Sequence, residues 1–189
     1  MKLKVFVALI LAIGIFAWIS YQTNQPDKVP VNQEENQEKL NTPNTLRIPS
    51  LNLTLPVIFP KSNNEEDIQE ALKYGVSYYP GTALAGKTGN MYIVGHSSDN
   101  PWAKGDYKRV FAGLPKLSTG DKIEITDRAG LLFVYRIIET KIVSPKDLTV
   151  LNQPDDKKLL TLQTSYPIGT AFKRFIVVSE LVGKGGEKK

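Results

Sequence analysis

Three residues carry the chemistry this chain could perform, and each closes or opens an apolar stretch. His96 is the only histidine and ends the run Asn90-Met91-Tyr92-Ile93-Val94-Gly95-His96. A histidine just past a glycine at a strand end lies at a sheet rim, where catalytic groups are commonly mounted. Position alone leaves a working histidine and an idle rim histidine both open. Ser165 ends a second apolar run, residues 158–164, and Tyr166-Pro167 follows it. Proline cannot continue a central ladder, so the strand should stop there. The next strand should open near Phe172 and carries Lys173 and Arg174. If the two strands pair as a hairpin, Ser165 and Arg174 flank one loop and face one rim. Singly, the hydroxyl is explained by a turn and the arginine by solvation. The chain has no cysteine, which excludes disulfides, zinc–thiolate sites and thiol catalysis.

The elements that must hold these residues are mainly β. From Thr45 onward, short stretches rich in Val, Ile, Leu and Tyr recur between Gly, Pro and Asp, which is strand patterning. Strands are expected at 45–48, 53–59, 90–95, 122–127, 131–143, 158–164 and 172–181. Asp127-Arg128-Ala129-Gly130 marks a hairpin turn. One helix is signalled by the Asn64 cap, by Glu65, Glu66 and Asp67 in its first turn, and by the apolar set Ile68, Ala71 and Leu72. Gly75 closes it. Seven or so short strands with one early helix predict a small barrel or sandwich. The acidic run is explained by the helix N-terminus, and its spacing is not that of an EF-hand. No metal or other cofactor is expected.

The N-terminal part reads differently. Lys2 and Lys4 precede an apolar run over residues 5–19, with Trp18 and Tyr21 at its far end. A basic flank, a run near the lower length limit for a bilayer span, and interfacial aromatics predict a signal anchor over 1–21. No small-x-small cleavage site follows it. The lysines place the N-terminus in the cytoplasm and the remainder outside. Residues 22–44 are rich in Asn, Gln, Glu and Pro and too poor in aliphatic residues to fold alone, so a disordered polar linker is expected there. The folded domain is placed at 45–183, with a basic flexible tail at 184–189. The formal charge of +5 raises nucleic acid as a partner. However, lysines at the two termini supply much of it, and no basic stripe or arginine cluster remains, which argues against nucleic acid.

Taken together, the motifs are more specific than any one of them. Tyr79-Pro80-Gly81-Thr82-Ala83, Gly86, Gly89-Asn90 and Val94-Gly95-His96 resemble the region that leads to the catalytic histidine in sortases. Phe111, Leu114 and Leu117 before Gly120-Asp121-Lys122-Ile123 are similar to the same family. Leu160-Thr161-Leu162-Gln163-Thr164-Ser165-Tyr166-Pro167 resembles its nucleophile strand, Thr-Leu-x-Thr-Cys-x-Pro, and Arg174 matches its downstream arginine. Leu46-Arg47-Ile48-Pro49 and residues 53–56 fit as well. The resemblance spans about residues 45–181.

It implies a sortase-like closed β-barrel of about eight strands with one or two short helices, behind an N-terminal transmembrane helix on a bacterial cell membrane. It also implies attack on a backbone carbonyl within an LPxTG-like sorting signal. The resulting acyl-enzyme would pass to an amine on a cell-wall precursor or a pilin lysine. By residue match, His96 would be the general acid and base, and Arg174 would hold substrate carbonyls and the oxyanion. The backbone at Thr164 and Ser165 would add donors.

Ser165 departs from the pattern. A serine hydroxyl stays protonated at neutral pH and needs a base during attack, where a thiolate does not. Working serine enzymes use a histidine aligned by a third group. Asp99 and Asp106 follow His96, but neither sits in a motif tied to it. The serine is compatible with an engineered nucleophile replacement, with a natural pseudo-sortase that binds extended peptides without cleaving them, or with a rearranged serine–histidine site. Reduced or absent activity is the expectation. An unrelated serine hydrolase is disfavoured because Gly-x-Ser-x-Gly is absent. The segment 97–107, with Trp102, should loop beside the site.

Overall fold

The computed structural model describes residues 42–98 and 106–185. The expected anchor, most of the linker, Asp99, Trp102 and the last four residues lie outside them. No helix among the described residues is long and apolar enough to cross a membrane.

Eight strands close into a barrel: β1 (Thr45–Ile48), β2 (Leu53–Ile58), β3 (Val76–Tyr78), β4 (Gly89–Val94), β5 (Lys122–Thr126), β6 (Leu132–Val143), β7 (Lys158–Tyr166) and β8 (Lys173–Lys184). Around the barrel they run β1-β2-β3-β4-β7-β8-β6-β5. Most neighbours are antiparallel. The β2–β3 and β4–β7 pairs are parallel, and each needs a long crossover. The first crossover carries α1 (Glu65–Leu72).

The strands form where alternation puts one face inside. Met91 and Ile93 of β4, Leu160 and Leu162 of β7, and Phe175 and Val177 of β8 share one core with Phe133, Tyr135 and Ile137 of β6. The intervening residues Tyr92, Thr161, Gln163, Ser165 and Arg174 therefore point to the outer face. The β6 alternation is clean over its first half, where Leu132, Val134 and Arg136 are more exposed than their neighbours. α1 starts as expected: the Asn64 Oδ1 accepts from the Asp67 backbone N–H at 2.8 Å. Two of its acids also make local bonds, with the Ser62 hydroxyl donating to Asp67 at 2.8 Å and Gln69 donating to Glu65 at 2.7 Å. Ile68, Ala71 and Leu72 are its buried face.

Several strand ends shift by one residue from the expectation, and three differences are larger. β3 was not expected at all, because three residues between a helix end and a Pro-Gly turn are too few for a period to show. β7 runs on through Ser165 and Tyr166, so the proline ends the strand two residues later than expected. β8 includes Lys184, and the Gly185 N–H donates to the Leu132 carbonyl at 2.7 Å. The expected tail is thus ordered at its first two residues.

The long β6–β7 connection is pinned to the start of β4 by one side chain. Gln153 Oε1 accepts from the backbone N–H groups of Ala83 and Asn90 at 3.1 and 2.9 Å. Its Nε2 donates to the carbonyls of Asn90 and Leu151, both at 3.0 Å. Gly89 has to be glycine here: its φ is +113°, and a Cβ would lie 2.7 Å from Gln153 Oε1.

Candidate active site

The site is assembled by strand register. In the parallel β4–β7 pair, Val94 lies opposite Gln163, and the Gly95 N–H donates to the Gln163 carbonyl at 3.1 Å. Continuing that register one step past Gly95 brings His96 beside Ser165. In the antiparallel β7–β8 pair, Ser165 lies directly opposite Arg174. Three neighbouring strands thus deliver three residues to one level of the outer face. All three line a cleft of about 210 Å³, with α1 contributing Ile68, Gln69 and Leu72 to its far wall.

The backbone ahead of His96 is fixed from both sides. Gly95 cannot carry a side chain, since a Cβ would lie 2.4 Å from the Phe111 ring. Phe111 is fully buried and donates its N–H to the His96 carbonyl at 2.9 Å. Thr164 is also buried, at 1% exposure, and its hydroxyl donates to the Gly95 carbonyl at 2.8 Å. The Thr164 side chain therefore belongs to the barrel.

Arg174 lines the cleft, but its Nη1 donates to the carbonyls of Ala171 and Lys173, both at 3.1 Å. The guanidinium is anchored on the β7–β8 turn beside Ser165. That turn also accepts support from the strap after His96, where Ser98 Oγ accepts from the Gly169 N–H at 3.0 Å. Asp106, considered above as an orienter for the histidine, is not among the cleft-lining residues. A different carboxylate, Glu65 at the α1 N-terminus, is.

Two further residues were missed by the motif reading. Gln163 is two positions before Ser165 and shares its face. Its Oε1 accepts from the Tyr92 hydroxyl at 2.6 Å. Tyr92 is 2% exposed and meets Tyr79 edge to face at 6.0 Å between centroids. Burial pushes the Tyr92 phenol well above its ordinary pKa, against the opposing pull of the Arg174 charge. The signal for both was the two-residue period: Tyr92 and Val94 lead to His96 as Gln163 leads to Ser165. Further along the same face, a larger and more open hollow lies among Asn90, Thr161, Val178 and the Gln153 segment.

Among the described residues, no group of three or more His, Asp or Glu side chains could hold a metal ion. A hydroxyl, a histidine and an arginine line one cleft, and these are residue types that acyl transfer can use as nucleophile, proton carrier and cation. A sortase-domain family model matches residues 46–182. The chain belongs to the sortase family. Sortase D of Bacillus subtilis is 29% identical over 141 residues, covering 72% of this chain and 62% of the relative. Sortase A of Listeria monocytogenes is 27% identical over 137 residues, covering 72% and 55%. The chain thus spans less than two thirds of these curated relatives. Among solved structures, a Clostridium perfringens sortase D5 transpeptidase aligns with a TM-score of 0.59 at 27% identity, covering 83% of this chain and 92% of that one. Sortase C-1 of Streptococcus pneumoniae, at 24% identity and a TM-score of 0.61, shares the fold.

Proposed function

We propose that this sortase-family domain binds an extended LPxTG-like sorting signal in the cleft beside Ser165, and that its transpeptidase chemistry is weak or absent because that residue is not cysteine. The observation that carries the reading is one cleft lined by Ser165 of β7, by Arg174 opposite it on β8, and by His96 two residues past the end of β4. In this reading Ser165 takes the nucleophile's position, His96 moves the proton, and Arg174 holds substrate carbonyls and the developing oxyanion. The partners are surface proteins or pilins bearing the signal, and an amine acceptor such as a cell-wall precursor. The apolar run at 5–19, behind Lys2 and Lys4, supports a single-pass anchor in a bacterial cell membrane with the barrel outside.

The sulfur-to-oxygen change sets the activity. An acyl-enzyme at Ser165 requires removal of the hydroxyl proton as the carbonyl is attacked, and then delivery of a proton to the departing amine. The test uses the full chain in detergent, as it stands and as Ser165→Cys, with LPxTG-type peptides and an amine acceptor. Turnover by the cysteine variant should exceed that of the parent by ~1,000-fold or more, the scale expected when a nucleophile loses its activation. Equal turnover by both forms, dependent on His96, would overturn the impaired-enzyme reading. Peptide binding without turnover even in the cysteine form would favour a binding module.

A further inference from the structure

Gln163 occupies the variable position of the nucleophile strand and sits in the cleft floor with half of its amide committed. Its Oε1 accepts from Tyr92 at 2.6 Å, and no described residue accepts from its Nε2. The orientation is set from below. The Tyr92 phenol is buried, stays protonated, and is held in place by the edge of Tyr79. With the oxygen tied to that hydroxyl, the two amide N–H groups are left to donate to a partner in the cleft that Gln163 lines.

The spacing then names the acceptor. Residues i and i+2 of a strand point the same way and lie about 6.6–6.8 Å apart. Alternate carbonyls of an extended peptide have the same direction and the same repeat. A peptide lying along β7 with its scissile carbonyl at Ser165 therefore brings the carbonyl two residues away over Gln163. The acyl portion has to stay bound while an acceptor amine enters. The hollow that continues along β7 past Gln163 and Thr161 gives that portion its room, while the rim beyond Ser165 is left for the amine.

We infer that the Gln163 Nε2 donates a hydrogen bond to the substrate backbone carbonyl two residues upstream of the scissile bond, so that the Tyr92–Gln163 pair sets the register in which the peptide meets Ser165. This rests on the peptide-binding reading given above and names a contact within it.

The test works in the Ser165→Cys background of the full chain, where turnover can be followed. The scissile bond is first mapped by mass spectrometry of the products. Gln163→Leu removes the donor and should raise KM about 3- to 10-fold, the range for one neutral hydrogen bond, with the loss falling in KM more than in kcat. Gln163→Glu still accepts from Tyr92 and so preserves the support beneath it, yet cannot donate. It should show a KM loss at least as large. A peptide with a thioamide at the upstream carbonyl, a poorer acceptor, should bind the Gln163 enzyme about threefold more weakly and the Gln163→Leu enzyme no more weakly than the normal peptide does. A Gln163→Leu enzyme with the parental KM, or a thioamide penalty equal in both enzymes, would overturn the inference while leaving the function intact. A cysteine variant that neither binds nor cleaves the peptides would instead overturn the functional reading, and this contact with it.

Discussion

The two ends of the barrel are built on opposite terms. At one end, where β4 and β7 finish and β8 begins, the cleft is lined by the polar side chains of His96, Gln163, Ser165 and Arg174. At the other, where β4 begins and β5 ends, a pocket of about 120 Å³ is walled mainly by Val57, Phe59, Leu84, Met91 and Ile125. Arg128 covers that pocket's Phe59 ring at 4.8 Å, and the Asp127 carboxylate accepts from the N–H groups of Ala129 and Leu131 at 2.8 and 2.9 Å, closing its own turn. The apolar end is closed by its own groups, whereas the polar end presents His96, Gln163, Ser165 and Arg174 to a cleft. The contrast assigns stability to one end and chemistry to the other, and substitutions can test that division.

The largest effect is expected at the polar end. In the Ser165→Cys background, His96→Ala should lower turnover ~100- to 10,000-fold, as loss of a proton carrier does, while the thermal melting curve stays close to that of its parent. A collapse in melting temperature instead would make His96 a structural residue and erase the contrast. At the apolar side, Phe133 is 5% exposed and its ring packs where a Gly86 Cβ would stand. Phe133→Ala should cost about 3–5 kcal/mol in denaturant unfolding, and peptide affinity of the folded fraction should be unchanged.

Thr164 lies between the two regimes, because its buried hydroxyl serves the backbone ahead of His96. Thr164→Val keeps the shape and leaves the Gly95 carbonyl without that donor. It should cost about 1–2 kcal/mol, and turnover of the cysteine form should fall with it.

The smallest effect is a pH dependence. The ordinary tyrosine pKa of 10.0 applies in the unfolded chain, and burial raises that of Tyr92 in the fold. A raised folded pKa gives a contribution fully present below pH 10 and lost as pH climbs toward the folded value. Unfolding curves of the parent should weaken above about pH 10, and Tyr92→Phe should flatten that decline. An identical decline in both proteins would remove Tyr92 from the account, leaving Tyr135, whose phenol burial also raises.

Much of this was legible in the chain, for physical reasons that can be named. The hairpin that faces Ser165 to Arg174 followed from Pro167 and the apolar runs on either side of it, and the register places the two residues opposite each other. The α1 start followed from Asn64, whose side chain can serve only a few nearby N–H groups. Other features left no such trace. β3 gains its identity from strands on both sides of it, one parallel and one antiparallel, and no three-residue pattern encodes that. The turn of Arg174 toward Ala171 and Lys173 depends on loop geometry that composition does not express. Gln163 and Tyr92 were readable by their spacing from Ser165 and His96, but a motif directs attention to its fixed letters and passes over the variable one.

The parallel pairing of β4 with β7 has a consequence for how the protein can be assayed. His96 arrives on the first half of the chain and Ser165 with Arg174 on the last hairpin, so the cleft lies along one of the two seams, β4–β7 and β1–β5, where the first and last four strands meet. Contacts of such large sequence separation form late, because the intervening loop must be ordered first. A peptide lying across the seam contacts both halves and binds only when they are joined. By mass action it raises the stability of the whole domain, by about 2.7 kcal/mol at a hundred times its dissociation constant. Ligands can therefore be found from the melting temperature of the Ser165 protein itself, whether or not a single bond is ever cut.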